Sequence, residues 1–219
     1  MKKGFLIITA LLSTVFLFNC GGSGPGAPGS SDSGHTGIEI QSVSMVPDST
    51  PGDKGPDLDV NIHICPSTGK PETAGGLFRV DATMTVTASQ LNPTSNFDPF
   101  PATVEQCTIV YKQPIDEQGA PVIESWTVYP NCTLNSGSNT CIVNLIDITR
   151  KYLYWNNVCA AMDSNGYCTD MVDAINNPQK YPTRYTAVYD CTYMNTIGKT
   201  GHFQVNQDIF LADFENCTS

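Results

Sequence analysis

Cysteine is the residue type whose number and spacing say most about the chemistry of this chain. The nine cysteines among the 219 residues are Cys20, Cys65, Cys107, Cys132, Cys141, Cys159, Cys168, Cys191 and Cys217. Nine is odd, but if Cys20 near the N-terminus has a separate role, an even set of eight remains. In an exported protein such a set predicts up to four disulfides, and 105 pairings are possible on paper.

Spacing alone suggests two of these disulfides. Cys132 and Cys141 flank one turn-rich loop, and Cys159 and Cys168 flank another. Closing a loop of about ten residues should stabilise the folded state by about 2–3 kcal/mol, because the unfolded chain loses entropy. Metal binding is the competing interpretation. The chain has no Cys-x-x-Cys motif, and its three histidines are scattered along the sequence. We therefore predict no cofactor.

The first twenty-two residues have the pattern of an export signal. Lys2 and Lys3 precede an apolar run over 5–18, which is shorter than the ~20 residues of a spanning helix. The run ends at Cys20, and this exit resembles that of a bacterial lipoprotein leader, although Asn19 stands where a smaller residue is usual. The alternatives are an ordinary secretory leader or an uncleaved N-terminal anchor, and in either of them Cys20 would not be acylated.

The lipoprotein resemblance implies a location for the protein. Residues 1–19 would be the signal peptide, and Cys20 would carry the acyl chains that insert into a membrane of the bacterial cell envelope, expected to be the outer membrane. Residues 20–36 are rich in Gly, Ser and Pro and predict a flexible tether. The face of the membrane on which the protein lies is not predicted.

Charge narrows the range of partners. Without Lys2 and Lys3 the 11 basic residues become 9, which against 21 acidic residues leaves a mature charge near −12. Such a surface repels phosphates, so nucleic acid is not an expected partner. About 180 residues remain beyond the tether, enough for one domain with a substantial core.

Beyond the tether, apolar residues alternate with polar ones, as in half-buried strands. Eight such segments, separated by Gly, Pro, Asn and Ser turns, predict an all-β fold, namely an antiparallel β-sandwich. Their approximate ranges are 38–43, 58–64, 78–87, 104–111, 121–129, 141–149, 183–195 and 203–213. An insertion over about 152–180 interrupts the series. We predict that it is partly helical, near 169–175, and stapled by Cys159 and Cys168.

The strand over 184–191 carries Tyr189 two residues before Cys191. This arrangement resembles the tyrosine-corner strand of immunoglobulin-like domains. With the runs at 104–111, 122–129 and 201–214, the chain resembles uncharacterised bacterial lipoproteins that contain one such sandwich. The resemblance implies an immunoglobulin-like domain over 37–219 and no particular activity.

The immunoglobulin-like strand order also implies the two remaining disulfides. Cys107 on strand C and Cys191 on strand F would lie on neighbouring antiparallel strands. Cys65 after strand A′ and Cys217 after strand G would meet at one end of the sandwich, because A′ runs parallel to G.

Two groups of polar residues are candidate ion sites. Asp163, Asn165 and Asp170 surround a Gly turn that could supply oxygen ligands to Ca²⁺, although the later carboxylates of a calcium loop are missing and a solvated turn is the alternative. A second acidic cluster comprises Asp53, Asp57 and Asp59.

The aromatic residues Tyr152, Tyr154 and Trp155 are a candidate contact patch for a sugar or a protein. The alternative is that they form a small core beneath the insertion. The chain has no phosphate-binding loop, nucleophile elbow or His-Glu-x-x-His motif, so we expect no enzymatic activity.

We therefore predict a lipid-anchored, extracytoplasmic, non-enzymatic module that binds a protein or polymer at the cell envelope. The alternative is a structural subunit whose N-terminal strand, Ile38 to Met45, pairs with the sheet edge of a neighbouring molecule. The sequence does not identify the partner.

Overall fold

The computed structural model describes residues 31–48, 55–62, 64–72, 78–114, 120–130, 132–171, 182–214 and 217. The predicted signal peptide over 1–19, Cys20 and the tether up to residue 30 lie outside the described residues. The described chain is mostly β. Its elements are α1 (Ser31–Thr36), β1 (Ile38–Pro47), β2 (Asp57–Asp59), β3 (Ile64–Cys65), β4 (Lys70–Pro71), β5 (Val80–Gln90), β6 (Ala102–Lys112), β7 (Trp126–Val128), β8 (Cys132–Leu134), β9 (Gly137–Ile146), α2 (Ile148–Val158), β10 (Cys159–Met162), β11 (Cys168–Met171), β12 (Thr183–Met194) and β13 (Thr200–Ala212).

Most of the strands belong to two sheets. The small sheet has the order β1-β5-β9, and the large sheet has the order β2-β13-β12-β6-β7, with β8 also paired to β6. Only the short pairing of β2 with β13 is parallel within these sheets. The remaining strands form the hairpins β3-β4 and β10-β11. Alternation in the sequence accounts for the strands, since buried and more exposed residues alternate along β5 and β12.

Three tyrosines on β12 connect the large sheet to the rest of the fold. Tyr185, Tyr189 and Tyr193 are four residues apart and fully buried. The hydroxyl of Tyr185 donates to the Pro121 carbonyl at 2.7 Å, and that of Tyr189 donates to the Asn144 carbonyl on β9 at 2.8 Å. The Tyr193 hydroxyl shares a 3.1 Å hydrogen bond with Thr36 of α1. Because a buried hydroxyl is costly without a partner, these bonds constrain how the two sheets and α1 pack together.

The structure joins the eight cysteines beyond Cys20 in four disulfides. Cys107 and Cys191 are directly opposite each other on β6 and β12, and Cys65 is joined to Cys217 near the C-terminus. The two short-range disulfides are Cys132–Cys141, which links β8 of the large sheet to β9 of the small sheet, and Cys159–Cys168, which closes the β10-β11 hairpin.

The structure differs from the sequence-based prediction in the tether. Residues 31–36, assigned above to the flexible tether, form α1, in which Ser33 and Thr36 are buried. The Thr36 carbonyl accepts a hydrogen bond from the side chain of Asn195, and the His202 amide donates to the Asp32 carboxylate. Residues 31–36 therefore belong to the folded part, because polar side chains anchor a segment that has almost no apolar residues.

The insertion also differs from the prediction. Its helix is α2, which begins at Ile148, whereas Cys168–Met171 of the predicted 169–175 helix is strand β11. Residues 172–181 lie outside the described part. Ile148, the first residue of α2, falls within the predicted 141–149 strand, but β9 ends at Ile146 because Asp147 caps the helix.

Tyr189 provides a test of the bonds between the sheets. Replacing Tyr189 by phenylalanine should lower the free energy of unfolding by about 1–3 kcal/mol, because the buried Asn144 carbonyl loses its donor. The matched control is Tyr129→Phe at a side chain that is 67% exposed, where the change should stay within about 0.5 kcal/mol. Urea denaturation measures both, and equal effects of the two substitutions would contradict the role assigned to Tyr189.

Candidate functional site

The helix α2 has a well-defined start. The Asp147 side chain accepts a hydrogen bond from the Arg150 amide at 2.8 Å and forms an ion pair with the Arg150 guanidinium at 2.6 Å. This is N-capping by a carboxylate. The Arg150 guanidinium also lies 4.4 Å from the centre of the Trp126 ring, in cation–π geometry. The cap fixes the start of α2, and the stacking holds it against Trp126 at the start of β7.

One face of α2 is buried in the core. Its residues Lys151, Tyr154, Trp155 and Val158 follow the spacing of a helix face. The Tyr154 hydroxyl donates to Thr183 Oγ1 at 2.6 Å and also contacts the Leu211 carbonyl at 3.1 Å. The contact patch predicted from Tyr152, Tyr154 and Trp155 is therefore wrong as a single surface, because Tyr154 and Trp155 belong to the core and only Tyr152 faces outward.

Three apolar side chains of α2 are exposed, among the polar Thr149, Asn156 and Asn157. Ile148, Tyr152 and Leu153 are 47%, 52% and 45% exposed, and Ile148 and Tyr152 are one helical turn apart. Arg150 donates to the carbonyls of the neighbouring segment around Ser125, and Val122 on that segment is 85% exposed. We call Val122, Ile148, Tyr152 and Leu153 the α2 surface. Helical spacing does not predict this exposure for Ile148, which lies seven residues before the buried Trp155 and therefore borders the buried face, so sequence reasoning had no clear signal for the α2 surface.

The calcium candidate lies in the turn of the β10-β11 hairpin. The Asp163 carboxylate accepts hydrogen bonds from the amides of Asn165 and Tyr167 at 2.8 and 3.0 Å. The Asn165 carbonyl accepts a bond from the Ile64 amide, so this oxygen attaches the hairpin to the chain before β3. The described residues contain no group of three or more His, Cys, Asp or Glu side chains placed to hold a metal ion. In this structure Asp163 therefore shapes a turn.

A buried carboxylate lies beside this hairpin. Asp59 on β2 has no exposed surface, and its Oδ1 accepts hydrogen bonds from the amides of Asn61 and Phe214 at 3.2 and 3.3 Å. Burial, with a smaller contribution from the negative charges of Glu72 and Asp213, raises the pKa of Asp59 to about 6 in spite of the two amide hydrogen bonds, which lower it. Of the second acidic cluster predicted above, Asp57 is exposed on the same strand, and Asp53 lies outside the described residues.

The two helices lie at opposite ends of β12. Thr183 at its start contacts Tyr154 of α2, whereas Tyr193 near its end contacts Thr36 of α1. The twelve residues of β12 span about 40 Å, so this distance separates the two ends of the domain. We call them the α1 end, where residue 31 leads into the fold, and the α2 end, which carries the α2 surface.

The structure also bears on the setting of the protein. Four disulfides indicate an oxidising, extracytoplasmic environment, because such bonds are rare in reducing compartments. Within the described ranges, no helix is both long and apolar enough to cross a membrane.

Comparisons with known proteins add a distant fold resemblance. No family model and no curated protein matches the chain. Among solved structures, the chain distantly resembles the solution structure of a late embryogenesis abundant (LEA) protein, with 13% identity, a TM-score of 0.30, and coverage of 78% of this chain and 71% of that one. Similarity at this level carries no argument about function.

Asp59 provides a test of the electrostatics beside the hairpin. Its raised pKa means that the folded state holds the proton more tightly than the unfolded state, so Asp59 should make stability fall as the pH rises from about 4 to about 6. Asp59→Asn keeps the Oδ1 acceptor and should stabilise the protein by about 1–3 kcal/mol at pH 8, at about 1.36 kcal/mol per pKa unit, and by much less at pH 4.

The matched control for this test is Asp57→Asn, at an exposed side chain on the same strand. It should change stability little at either pH. Urea denaturation at pH 4 and pH 8 measures both variants. A gain for Asp59→Asn that is equal at the two pH values would show that its charge is not the cause.

Proposed function

We propose that the described chain is an immunoglobulin-like sandwich. The small sheet β1-β5-β9 corresponds to strands A, B and E, and the large sheet β2-β13-β12-β6-β7 corresponds to A′, G, F, C and C′. The parallel pairing of β2 with β13 is that of A′ with G. Tyr189 supports the proposal, since it precedes Cys191 by two residues, which is the spacing of a tyrosine-corner strand. Its hydroxyl bonds to Asn144 on β9, 45 residues upstream, and so joins the two sheets.

We further propose that this domain is a non-enzymatic binding module, lipid-anchored through Cys20 at the bacterial cell envelope, on the outer membrane. It would bind a protein through the α2 surface. The observation that carries the proposal is the position of the two ends: the chain enters at the α1 end, and the exposed apolar side chains of α2 lie at the far end of β12. An anchor before residue 31 would leave the α2 surface pointing away from the membrane.

The chemistry of the α2 surface suits a protein partner. Exposed aliphatic and aromatic side chains at helical spacing are the kind of anchor that fills a pocket on another protein. A rigid, capped helix also loses little conformational freedom on binding. The net negative charge of the chain should disfavour strongly acidic partners.

The alternative of a structural subunit that donates its N-terminal strand has less support. β1 pairs with β5 of its own chain over nine positions, and Ile38, Ile40 and Met45 are buried in the core. Donating β1 to a neighbour would expose these side chains and unpair β5. No described contact favours that exchange.

Acylation of Cys20 is the first testable part of the proposal. Mass spectrometry of the mature protein should find an N-terminal cysteine that carries acyl chains, and the protein should fractionate with membranes. Cys20→Ser should abolish both, whereas the folded domain keeps its four disulfides. An unacylated mature N-terminus at any other residue would refute the anchor.

The α2 surface is tested by photo-crosslinking in intact cells. A benzophenone side chain at position 152 should form a protein adduct, and Leu153→Asp should abolish the adduct because it places a charge in the contact. The matched control is the same probe at Gln204, which is exposed on the large sheet. Equal adducts at both positions, or an adduct at 152 that survives Leu153→Asp, would refute the assignment of the surface.

A further inference from the structure

The α1 end carries an exposed apolar tip of its own. Leu91, Phe97 and Ile197 are 42%, 37% and 59% exposed, and they come from the β5-β6 loop and the β12-β13 turn. We call these three side chains the apolar tip. Exposed apolar side chains are ordinary one by one, so the three matter only because the fold places their segments together.

Hydrogen bonds hold the segments of the tip together beside the entry of the chain. The Leu91 amide donates to the carbonyl of Gly37, directly after α1, and the Gln90 side chain donates to the Phe97 carbonyl at 2.6 Å. The Phe97 ring also packs against Gly37, whose Cβ, if it had one, would lie 3.6 Å from the ring.

The β12-β13 turn is attached to the same loop. The Thr196 amide and hydroxyl donate to the carbonyls of Pro99 and Asp98, and the Asn195 side chain donates to the Thr36 carbonyl. Ile197 is therefore held at the α1 end together with Leu91 and Phe97. The tip is a built feature of the fold, at the end where residue 31 leads into α1.

The position of Ser31, beside the apolar tip, indicates that a membrane could cover the tip. Ten residues lie between Cys20 and Ser31, and the eleven Cα–Cα steps that join them reach at most about 40 Å. Acyl chains on Cys20 would hold the α1 end within that distance of the bilayer surface. The exposed Lys199, in the same turn as Ile197, suits lipid phosphates, although the negative charge of the whole chain opposes binding to anionic lipid.

We propose that the apolar tip of Leu91, Phe97 and Ile197 inserts past the headgroups to the upper part of the acyl chains, in the bilayer that holds the Cys20 acyl chains, and so orients the domain upright on the membrane. The inference rests on the proposed lipid anchor. Each apolar side chain moved out of water favours insertion, and the anchor supplies the proximity that three side chains alone would not. An upright domain projects the α2 surface about 40 Å from the membrane along β12.

Tryptophan fluorescence in vesicles tests this proposal. The native Trp126 and Trp155 lie at the α2 end, where Trp126 stacks on Arg150 and Trp155 is buried, so they serve as internal controls. The mature, acylated full-length protein is reconstituted in phosphatidylcholine vesicles with and without brominated phosphatidylcholine, which quenches only tryptophans that touch the acyl chains.

In the variant Ile197→Trp, the emission added by the new tryptophan should shift to the blue and be quenched by brominated lipid, while the emission of Trp126 and Trp155 remains, and Leu91→Trp should behave the same way. Two variants are used so that the result does not depend on one substitution folding well. The unsubstituted protein and Tyr152→Trp, at the α2 end, should show no quenching.

Two separate readouts distinguish failure of the tip from failure of the anchor. Flotation with the vesicles, with Cys20 acylation found by mass spectrometry, reports the anchor. Floating, acylated Ile197→Trp and Leu91→Trp proteins that are not quenched would overturn the tip and leave the anchor standing. An unacylated Cys20 would overturn both. A benzophenone at position 97 that captures a protein in intact cells instead of lipid would also overturn the proposal.

Discussion

The fold depends on one requirement: each buried tyrosine hydroxyl on β12 must find a hydrogen-bond acceptor inside the protein. Tyr185, Tyr189 and Tyr193 meet it on three different parts of the chain, namely the segment before β7, strand β9 of the small sheet, and α1. Burial raises the pKa of Tyr189 and Tyr193, so both remain neutral hydroxyls able to donate. One strand thereby sets the spacing of the sheets and holds the N-terminal helix in place.

The same strand gives the domain two different ends. Because Tyr193 contacts α1 and Thr183 contacts α2, the two helices lie at opposite ends of a rigid sheet. Exposed apolar side chains occur at both ends, but in different settings. Those at the α1 end lie on loops beside the chain entry, whereas those at the α2 end lie on a capped helix, which suits a specific protein contact better than a lipid surface.

Local pattern explains why the strands were predictable and the helices were not. Period-two alternation marked most of the long strands, since one face of each is buried. The predicted 58–64 strand survives only as β2 and β3, and the short strands β4, β8, β10 and β11 were missed, because two to four residues carry no readable period. α2 was missed because its start, at Ile148, continues the apolar run of β9. Only the Asp147 cap and the spacing from Lys151 to Val158 separate the two.

Local pattern was also insufficient to predict the candidate sites. Tyr152, Tyr154 and Trp155 are neighbours in sequence, but a helix turns about 100° per residue, so only Tyr152 faces solvent. Asp59 seemed one member of an acidic cluster, yet packing against the C-terminal segment buries it and raises its pKa. The apolar tip was not recognised at all, because Leu91, Phe97 and Ile197 meet only through hydrogen bonds between distant segments.

By itself, the sequence determined that the protein is mostly β and has an even set of cysteines suited to disulfides, because alternation and residue counts are local properties. Only the tertiary structure decided which strands share a sheet, which face of α2 is buried, and that the chain enters at the end opposite the α2 surface. These features depend on contacts between residues far apart in the chain, such as Tyr193 with Thr36, and no local pattern encodes such contacts.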